Sequence, residues 1–411
     1  MLNILANHFK IVNVTKLARL VIGIGVVLGG VGLFLFAQKS HIIDVSGTGP
    51  NTAAVSEPVK KLVDEDIEPQ KPLLNAPTII KAIYSTNWSA SNEKKLQYFI
   101  NLIKQTELNA IVIDVKDFSG YVAYNTNLEL PKKYNAIELR IPKLNKLIKR
   151  LHDEGIYVIA RISVFQDQML AQARPDLALY SSTTSAMWHD NKGLSWMDTA
   201  APEVWDYNAS IAQEILERGM DEVNFDYIRF ASDGNLNDIR HPFWDEKTLK
   251  ISVVRDFFKY LRGRLPDAVI SADLFGLATV STDGRGIGQH LEYALPYFDA
   301  IAPMLYPSHY FKDFIGFTNP ADYPYEVVKY SMDRAVVRAL DLKFTASTTP
   351  MNARFRPWLQ DFDLGADYDA AKVTAQIKAV NDATAATPEL FGGWMLWNPS
   401  NIYTKEALLT E

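Results

Sequence analysis

The sequence predicts an α/β protein in which a (β/α)8 TIM barrel follows a single transmembrane helix and a flexible linker. Three observations lead to this prediction. Apolar, β-branched runs alternate with helical patterns eight times from residue 78 onward. An uncharged apolar run lies near the N-terminus, and a segment rich in proline, glycine and acidic residues separates it from the alternating region.

The N-terminal region is predicted to anchor the chain in a membrane. Residues 1–19 are mildly basic, and residues 20–37 form an apolar run at the short end of the length needed to span a bilayer as a helix. Because the positive charges precede this run, we expect the N-terminus in the cytoplasm and the barrel outside the cell membrane. Secretion after signal cleavage is the alternative, but Leu35 stands where signal peptides carry a small residue.

Residues 38–77 are predicted to be a flexible spacer. They contain five prolines, two glycines and an acidic patch, with few bulky residues and no sustained periodicity. Such a spacer would hold the following domain away from the membrane.

The barrel is predicted over residues 78–411. The expected strands are Ile79–Tyr84, Ala110–Val115, Tyr157–Val164, Glu222–Tyr227, Val269–Phe275, Ala300–Tyr306, Leu342–Thr348 and Gly393–Trp397. The expected helices are Glu93–Lys104, Ile141–Glu154, Glu203–Arg218, Glu246–Arg264, His290–Leu295, Tyr325–Leu340 and Ala370–Ala383. A doubly wound open sheet is the alternative, but it usually has fewer strands, and no glycine-rich phosphate turn follows the first strand here.

Residue alternation places polar groups inside the predicted barrel. In the second strand, Asp114 and Lys116 lie on the face opposite the β-branched residues, and in the fourth strand Asp226 lies opposite Val223 and Phe225. The apolar faces suit burial under the helices. The polar residues then point inward near the C-terminal ends of the strands, where active sites of this fold lie.

Two carboxylates stand out as candidate catalytic groups. Asp226 and Asp273 each lie within an otherwise apolar strand, and an ionised carboxylate is costly to bury without a partner. Asp114 is a third candidate, although it could instead form a structural ion pair with Arg161. The residues expected to bind substrate are Lys116, Arg161, Arg229, Tyr306, His309, Trp397, Asn398 and Trp88.

Paired carboxylates suit glycoside hydrolysis, in which one group stays ionised and the other protonates the leaving oxygen. We assign the ionised role to Asp226, with Arg229 or Arg161 holding its charge. We assign the acid role to Asp273, with Asp114 in reserve. The aromatic candidates would stack on sugar rings.

Composition and motifs exclude several other functions. The net charge of −6 does not indicate nucleic-acid binding. The absence of cysteine excludes disulfides and thiolate metal sites, and the seven histidines show no zinc-binding spacing. No metal or cofactor is therefore predicted. The expected partners are a polysaccharide substrate and the membrane, with no obligate protein partner evident.

Seven stretches of the barrel region carry a resemblance to a known family. They are NAIVIDVKDFSG (109–120), IYVIARISVFQD (156–167), WMDTAAPEVWDYN (196–208), VNFDYIRF (223–230), SADLFG (271–276), APMLYPSHY (302–310) and GGWMLWNPSN (392–401). From about Lys81 onward the chain resembles a family of bacterial "putative glycoside hydrolase" barrels, which implies a TIM barrel with glycosidase activity.

More distantly, Asp226 at the end of strand four looks like the nucleophile position of α-amylase-like and α-galactosidase-like barrels. Those barrels often carry the acid as Glu on strand five or Asp on strand six. Here strand five offers Asp273 and strand six offers Tyr306, so the resemblance leaves the second catalytic residue open.

The function predicted from the sequence is a membrane-anchored glycoside hydrolase acting on a cell-envelope or extracellular polysaccharide. A barrel that binds envelope glycan without cleaving it is the alternative. A carboxylate-metal hydrolase, such as a deacetylase, is less favoured.

Overall fold

A computed structural model describes residues 66–345, 351 and 353–410 of the chain. The anchor predicted at residues 20–37 lies outside these residues. Within the described ranges, no helix has the length and apolar character needed to cross a membrane. The barrel strands are β1 (Ile80–Ser85), β2 (Ala110–Lys116), β3 (Tyr157–Ser163), β4 (Glu222–Asp226), β5 (Ile270–Phe275), β6 (Ala300–Met304), β7 (Trp358–Gln360) and β8 (Gly393–Trp397).

The eight strands close into a parallel barrel with helices around it, which confirms the predicted TIM barrel. Each strand pairs with the next along the chain, and β8 pairs with β1. The weakest join is between β6 and β7, where Met304 aligns with Trp358. A two-residue strand, Arg354–Phe355, also pairs with β6, and a small antiparallel ribbon joins Tyr180–Ser181 to Ile239–Arg240.

Helices cover the outside of the barrel. They are α1 (Asn87–Ser91), α2 (Glu93–Lys104), α3 (Glu129–Lys133), α4 (Leu144–Asp153), α5 (Gln168–Ala173), α6 (Pro202–Glu217), α7 (Lys250–Arg264), α8 (Leu291–Ala294), α9 (Pro324–Thr345) and α10 (Ala370–Thr384). Their apolar stripes face the strands, as in α4, where Leu144, Leu147, Ile148 and Leu151 are buried at helical spacing.

The predicted seventh strand is wrong. Residues 342–345 of the expected strand Leu342–Thr348 belong to the last turn of α9, and β7 lies farther along the chain at Trp358–Gln360. Phe344 and Thr345 are residue types that favour strands, but they continue an amphipathic helix here. The true strand is only three residues long and follows Arg356 and Pro357, which made its sequence look like a loop.

Two apolar cores lie on opposite faces of the strands. Between the strands and helices, Ile111, Ile113 and Phe225 join the large outer core. Inside the barrel, Val112 and Ile159 belong to a smaller core. The alternation predicted for β2 and β4 therefore holds along the lower part of each strand.

A buried ion pair occupies the N-terminal half of the barrel interior. The guanidinium of Arg356 pairs with the carboxylate of Glu222, which also accepts hydrogen bonds from Ser271 (2.5 Å) and Tyr157 (3.4 Å). Both charged side chains are nearly inaccessible, so each needs the other to offset the loss of hydration. Both residues also line a cavity of about 280 Å³ at this end of the barrel.

Part of the predicted spacer packs on the barrel. Asp66 accepts hydrogen bonds from two backbone N–H groups in the first turn of α4, at 2.8 and 3.0 Å, and so caps that helix. The backbone N–H of Leu73 donates to the buried carboxylate of Asp221 at 2.6 Å, and its side chain packs against the inner core. A flexible linker that extends to residue 77 is therefore wrong for residues 66–77, because these contacts hold the segment in place.

We predict that a chain beginning at residue 78 is less stable to unfolding by urea than one beginning at residue 66. The shorter chain loses the cap on α4 and one donor to Asp221, which should lower the free energy of unfolding by about 2 kcal/mol. In the longer chain, Asp66→Ala should account for about 1 kcal/mol of this loss. Glu68→Ala, at an exposed side chain, is the control and should change little. Equal unfolding midpoints for the two chains would contradict the assignment.

Candidate active site

A cavity of about 470 Å³ lies at the C-terminal end of the barrel. Its wall includes residues from the ends of β3 to β8 and from the loops that follow them. The lining residues are Arg161, Lys192, Asp226, Tyr227, Arg229, Asp273, Phe275, Gly276, Leu277, Met304, Tyr306, His309, Tyr310, Trp358 and Trp397. Seven of the eleven candidate site residues line this one cavity, namely Arg161, Asp226, Arg229, Asp273, Tyr306, His309 and Trp397.

The end of β4 fixes the carboxylate of Asp226. The next residue, Tyr227, has a φ of 53°, a left-handed conformation that a non-glycine residue seldom adopts. This turn brings the backbone N–H of Tyr227 to 2.5 Å from Oδ1 of Asp226. The strained backbone is supported by packing, since the Tyr227 ring lies edge-on to Trp196.

Arg161 lies at the centre of three carboxylates. Its Nη1 donates to Oδ1 of Asp114 at 2.6 Å, and its Nη2 donates to Oδ2 of Asp226. Its Nε lies 3.6 Å from Oδ2 of Asp273. Strand register explains the arrangement, because Arg161 on β3 aligns with Asp114 on β2 and with Asn224 on β4.

Asp114 contacts Arg161 rather than the cavity. Its second oxygen accepts a hydrogen bond from the hydroxyl of Tyr84 at 2.5 Å. Burial raises the pKa of Asp114, while the charge of Arg161 opposes the rise. The carboxylate is absent from the cavity wall and positions the guanidinium from behind.

Asp273 lies deeper than Asp226 and in a different environment. Its Oδ1 accepts hydrogen bonds from the indole Nε1 of Trp358 (2.8 Å) and from Nδ2 of Asn224 (2.9 Å). Burial raises the pKa of Asp273 strongly, and the charge of Asp226 raises it further. Arg161 and the two hydrogen bonds lower it, but burial prevails, so the protonated form is favoured.

Aromatic side chains form another part of the wall. The ring of Trp397 stacks on Tyr84 with centroids 3.8 Å apart, and the Arg161 guanidinium lies 5.1 Å from the Trp397 ring centroid. Tyr306 and His309 face each other edge-on at 5.2 Å. His309 is open to the cavity, yet the surrounding protein and the charge of Lys192 lower its pKa to about 4. Its imidazole is therefore neutral at neutral pH.

Arg229 lines the cavity but does not pair with Asp226. Its Nη1 donates to the carbonyl of Phe230 and to the hydroxyl of Ser232, both at 3.0 Å. Of the two arginines predicted to hold the charge of Asp226, it is Arg161 that contacts it.

Lys116 is displaced from the interior by a shift in strand register. Asp114 aligns with Arg161, but Lys116 aligns with Ile162, whose side chain faces the helices, so a bulge turns Lys116 to the outer face. Its ammonium is fully buried, 2.8 Å from a carboxylate oxygen of Asp167. The ammonium also donates to the carbonyl of Ser163 at 2.5 Å, and Lys116 does not line the cavity, which corrects the expectation that it binds substrate.

Asn398 and Trp88 also lie away from the cavity wall. The amide of Asn398 donates to the carbonyl of Asp361, and its oxygen accepts from the backbone N–H of Ser400 at 2.8 Å, so it joins the loops that follow β7 and β8. Trp88 is exposed on α1, where its ring lies 5.4 Å from the guanidinium of Arg140. Neither residue contacts the groups around Arg161, because each lies on a loop or helix beyond the strand end.

Sequence reasoning missed four residues of the site. Asn224 shares its face with Asp226, so alternation could have identified it. Tyr84 closes β1 and was passed over because its aromatic ring resembles core. Trp358 was missed because β7 was misplaced, and Lys192 comes from a long loop that carries no strand signal.

Comparisons with known proteins agree with the barrel. Residues 82–403 match the family described as "Putative glycosyl hydrolase domain". No match was found among curated proteins. Among solved structures, a hypothetical protein from Ruminiclostridium thermocellum ATCC 27405 is 35% identical, over 46% of this chain and 96% of that one, with a TM-score of 0.43.

Two solved glycoside hydrolases are more distant in sequence. The PgaB (BpsB) glycoside hydrolase domain from Bordetella bronchiseptica is 14% identical over 80% of this chain and 99% of that one, with a TM-score of 0.55, which supports the fold alone. TtGalA, an α-galactosidase from Thermus thermophilus, is 14% identical over 82% of this chain and 61% of that one, with a TM-score of 0.49. Because the family match runs from β1 to beyond β8, the chain belongs to the family described as "Putative glycosyl hydrolase domain".

Proposed function

We propose that the barrel hydrolyses glycosidic bonds of a cell-envelope or extracellular polysaccharide by a two-carboxylate mechanism. One observation carries the proposal. Asp226 and Asp273 line the same cavity and both lie beside Arg161, but Asp226 accepts hydrogen bonds from a guanidinium and a backbone N–H, whereas burial raises the pKa of Asp273. Carboxylates whose environments separate their protonation states are the pattern expected of a glycosidase nucleophile and acid.

Asp226 suits the role of the ionised carboxylate. Each of its oxygens faces a donor, the guanidinium of Arg161 and the backbone N–H of Tyr227. These donors stabilise the negative charge and hold the carboxylate in one orientation. We assign Asp226 as the nucleophile that attacks the anomeric carbon as the bond to the leaving oxygen breaks.

Asp273 suits the role of the general acid. Because Trp358 and Asn224 both donate to Oδ1, the proton of the acid belongs on Oδ2. Burial keeps that proton in place at neutral pH through the raised pKa of Asp273. The proton passes to the leaving oxygen of the glycosidic bond, and the departing sugar leaves as a neutral alcohol.

Rings on the cavity wall suit a sugar. Trp397 offers an apolar face stiffened by its stack on Tyr84. Neutral His309 and the hydroxyl of Tyr306 add hydrogen-bonding groups without adding charge.

We predict that Asp226→Asn and Asp273→Asn each lower the hydrolysis rate by about 10³-fold or more, since each removes one half of the chemistry. The measurement is release of new reducing ends from a panel of glycans by the purified protein. Asp153→Asn, an exposed carboxylate on α4, is the control and should retain full activity.

A different outcome would reassign the function. Glycan binding without release of reducing ends, unchanged in Asp226→Asn, would indicate the non-catalytic glycan-binding barrel instead. Activity abolished by EDTA would favour the carboxylate-metal hydrolase.

The pH profile should carry the signature of Asp273. Activity needs the protonated acid, so it should fall as pH rises through the raised pKa of Asp273, above the range in which ordinary carboxyl groups ionise. The indole hydrogen bond from Trp358 lowers this pKa, so Trp358→Phe should move the alkaline limb to higher pH. The check is kcat/KM against pH for both proteins; a shift to lower pH in the variant would contradict the acid assignment.

We further propose that residues 20–37 anchor the protein in the cell membrane with the barrel on the extracytoplasmic side. The proposal rests on the apolar run and the preceding basic residues. The full-length protein should stay with membranes through a high-salt wash and dissolve in detergent. Recovery from the culture medium of a shortened chain lacking residues 1–37, measured by intact mass, would favour signal cleavage and secretion.

A further inference from the structure

Arg229 differs from the other deeply buried arginines. In the part of the chain that the structure describes, five arginine residues are no more than 9% exposed. Four of them pair with carboxylates, namely Arg140, Arg161, Arg338 and Arg356. Arg229 is 6% exposed, and no described carboxylate lies within ion-pair distance of it. A buried cation without a partner is costly, which calls for an explanation.

The neighbours of Arg229 hold it by one edge only. Its guanidinium lies against the rings of Trp196 and Phe275, with centroid distances of 4.7 and 4.6 Å. Its Nη1 makes both hydrogen bonds, to Phe230 and Ser232. Nε and Nη2 donate to no described group, so the side of the fork that can bind an oxyanion with two parallel hydrogen bonds is unused.

The unused edge is accessible from the cavity. Arg229 lines the cavity wall, and neither Nε nor Nη2 belongs to the fully enclosed polar atoms that lack a partner. Burial lowers the pKa of Arg229, which reflects the cost of holding this charge out of water. An anion that enters the cavity would reduce that cost.

Nearby negative groups do not fill this role. Asp226 is bound to Arg161 and the backbone of Tyr227. The oxygens of Asp190 accept hydrogen bonds from side chains and backbone of its own loop, including the indole of Trp196 at 3.0 Å. Asp233 accepts a hydrogen bond from the backbone N–H of Asn191 at 3.1 Å. All three carboxylates act on Arg229 only from beyond ion-pair distance.

A second cation lies at the rim of the same cavity. Lys192 is exposed, and its ammonium makes no hydrogen bond or ion pair with the described residues. Its charge reaches the cavity, since it contributes to the lowered pKa of His309. The central cation, Arg161, is already occupied by carboxylates, so Arg229 and Lys192 are the two cations that remain for a ligand.

We propose that the substrate is an anionic polysaccharide, with a carboxylate or sulfate on the sugar bound by the Nε and Nη2 edge of Arg229 and assisted by Lys192. That the bound sugar is a substrate rests on the proposed glycosidase function. The anion site itself is inferred from the geometry of Arg229 and Lys192. A guanidinium between aromatic rings suits a charged sugar, because the rings exclude water while the fork fixes the oxyanion.

Binding is measured by calorimetry on the full-length protein in detergent carrying Asp226→Asn, so that no glycan is consumed. Three probes are compared at moderate salt: a uronic-acid oligosaccharide, the same oligosaccharide after reduction of its carboxyl groups, and a sulfated oligosaccharide. We expect at least one anionic probe to bind about 10-fold more tightly than the neutral probe, or more. Comparing the affinities of the two anionic probes shows whether the site prefers a carboxylate or a sulfate.

The variant Arg229→Met should weaken binding of the preferred anion about 10- to 100-fold and leave the neutral probe within about 3-fold, because Met keeps apolar contact with the rings. Lys192→Met, at an exposed position, should weaken the anion less and keeps the test valid if Arg229→Met misfolds. Arg334→Met is the matched control, since it removes an exposed positive charge on α9 away from the cavity.

The outcomes separate the two proposals. Equal binding of neutral and anionic probes, or anion binding unchanged in both Arg229→Met and Lys192→Met, overturns the anionic substrate. Binding of neither class also overturns it. Anion binding that depends on Arg229, combined with no release of reducing ends by the unmodified protein, leaves the anion site standing and overturns the hydrolase.

Discussion

The arrangement of the site depends on one guanidinium. Arg161 contacts Asp114 and Asp226 directly and lies 3.6 Å from Asp273, so carboxylates from β2, β4 and β5 surround a cation from β3. Four strands of the barrel are thereby held at a set spacing at their open end. Without that cation, carboxylates would face each other in a poorly hydrated interior, and each would tend to take up a proton.

The same cation makes the two cavity carboxylates unequal. Asp226 receives a hydrogen bond from Arg161 and another from the backbone, whereas Asp273 lies 3.6 Å from Nε of Arg161 and takes its hydrogen bonds from the uncharged side chains of Trp358 and Asn224. Burial is the main cause of the raised pKa of Asp273, and the charge on Asp226 raises this pKa further. One ion-pair network thus gives two chemically identical side chains different surroundings, with a charged donor on Asp226 and burial dominating at Asp273.

The charged residues inside the barrel form two groups, one near the N-terminal ends of the strands and one near their C-terminal ends. In the lower half, Glu222 and Arg356 pair with each other and are almost fully buried. In the upper half, the charges around Arg161 border a cavity, and Arg229 carries an unused edge into it. The upper groups retain capacity for a ligand. A buried ion pair and a binding site use the same residue types, and here they differ in whether a charged group without a carboxylate partner borders the cavity.

The sequence by itself determined the barrel and the two central carboxylates, because alternation of apolar and polar residues is a local property that each strand carries along its length. Asp226 and Asp273 could be recognised since a carboxylate in an apolar strand needs a partner wherever the strand lies. Only the tertiary structure decided which partner each found. The bulge that turns Lys116 outward, the short strand that brings Trp358 to Asp273, and the choice of Arg161 over Arg229 all depend on how strands align with one another. Register and loop placement are set by packing between distant segments, so local pattern does not report them.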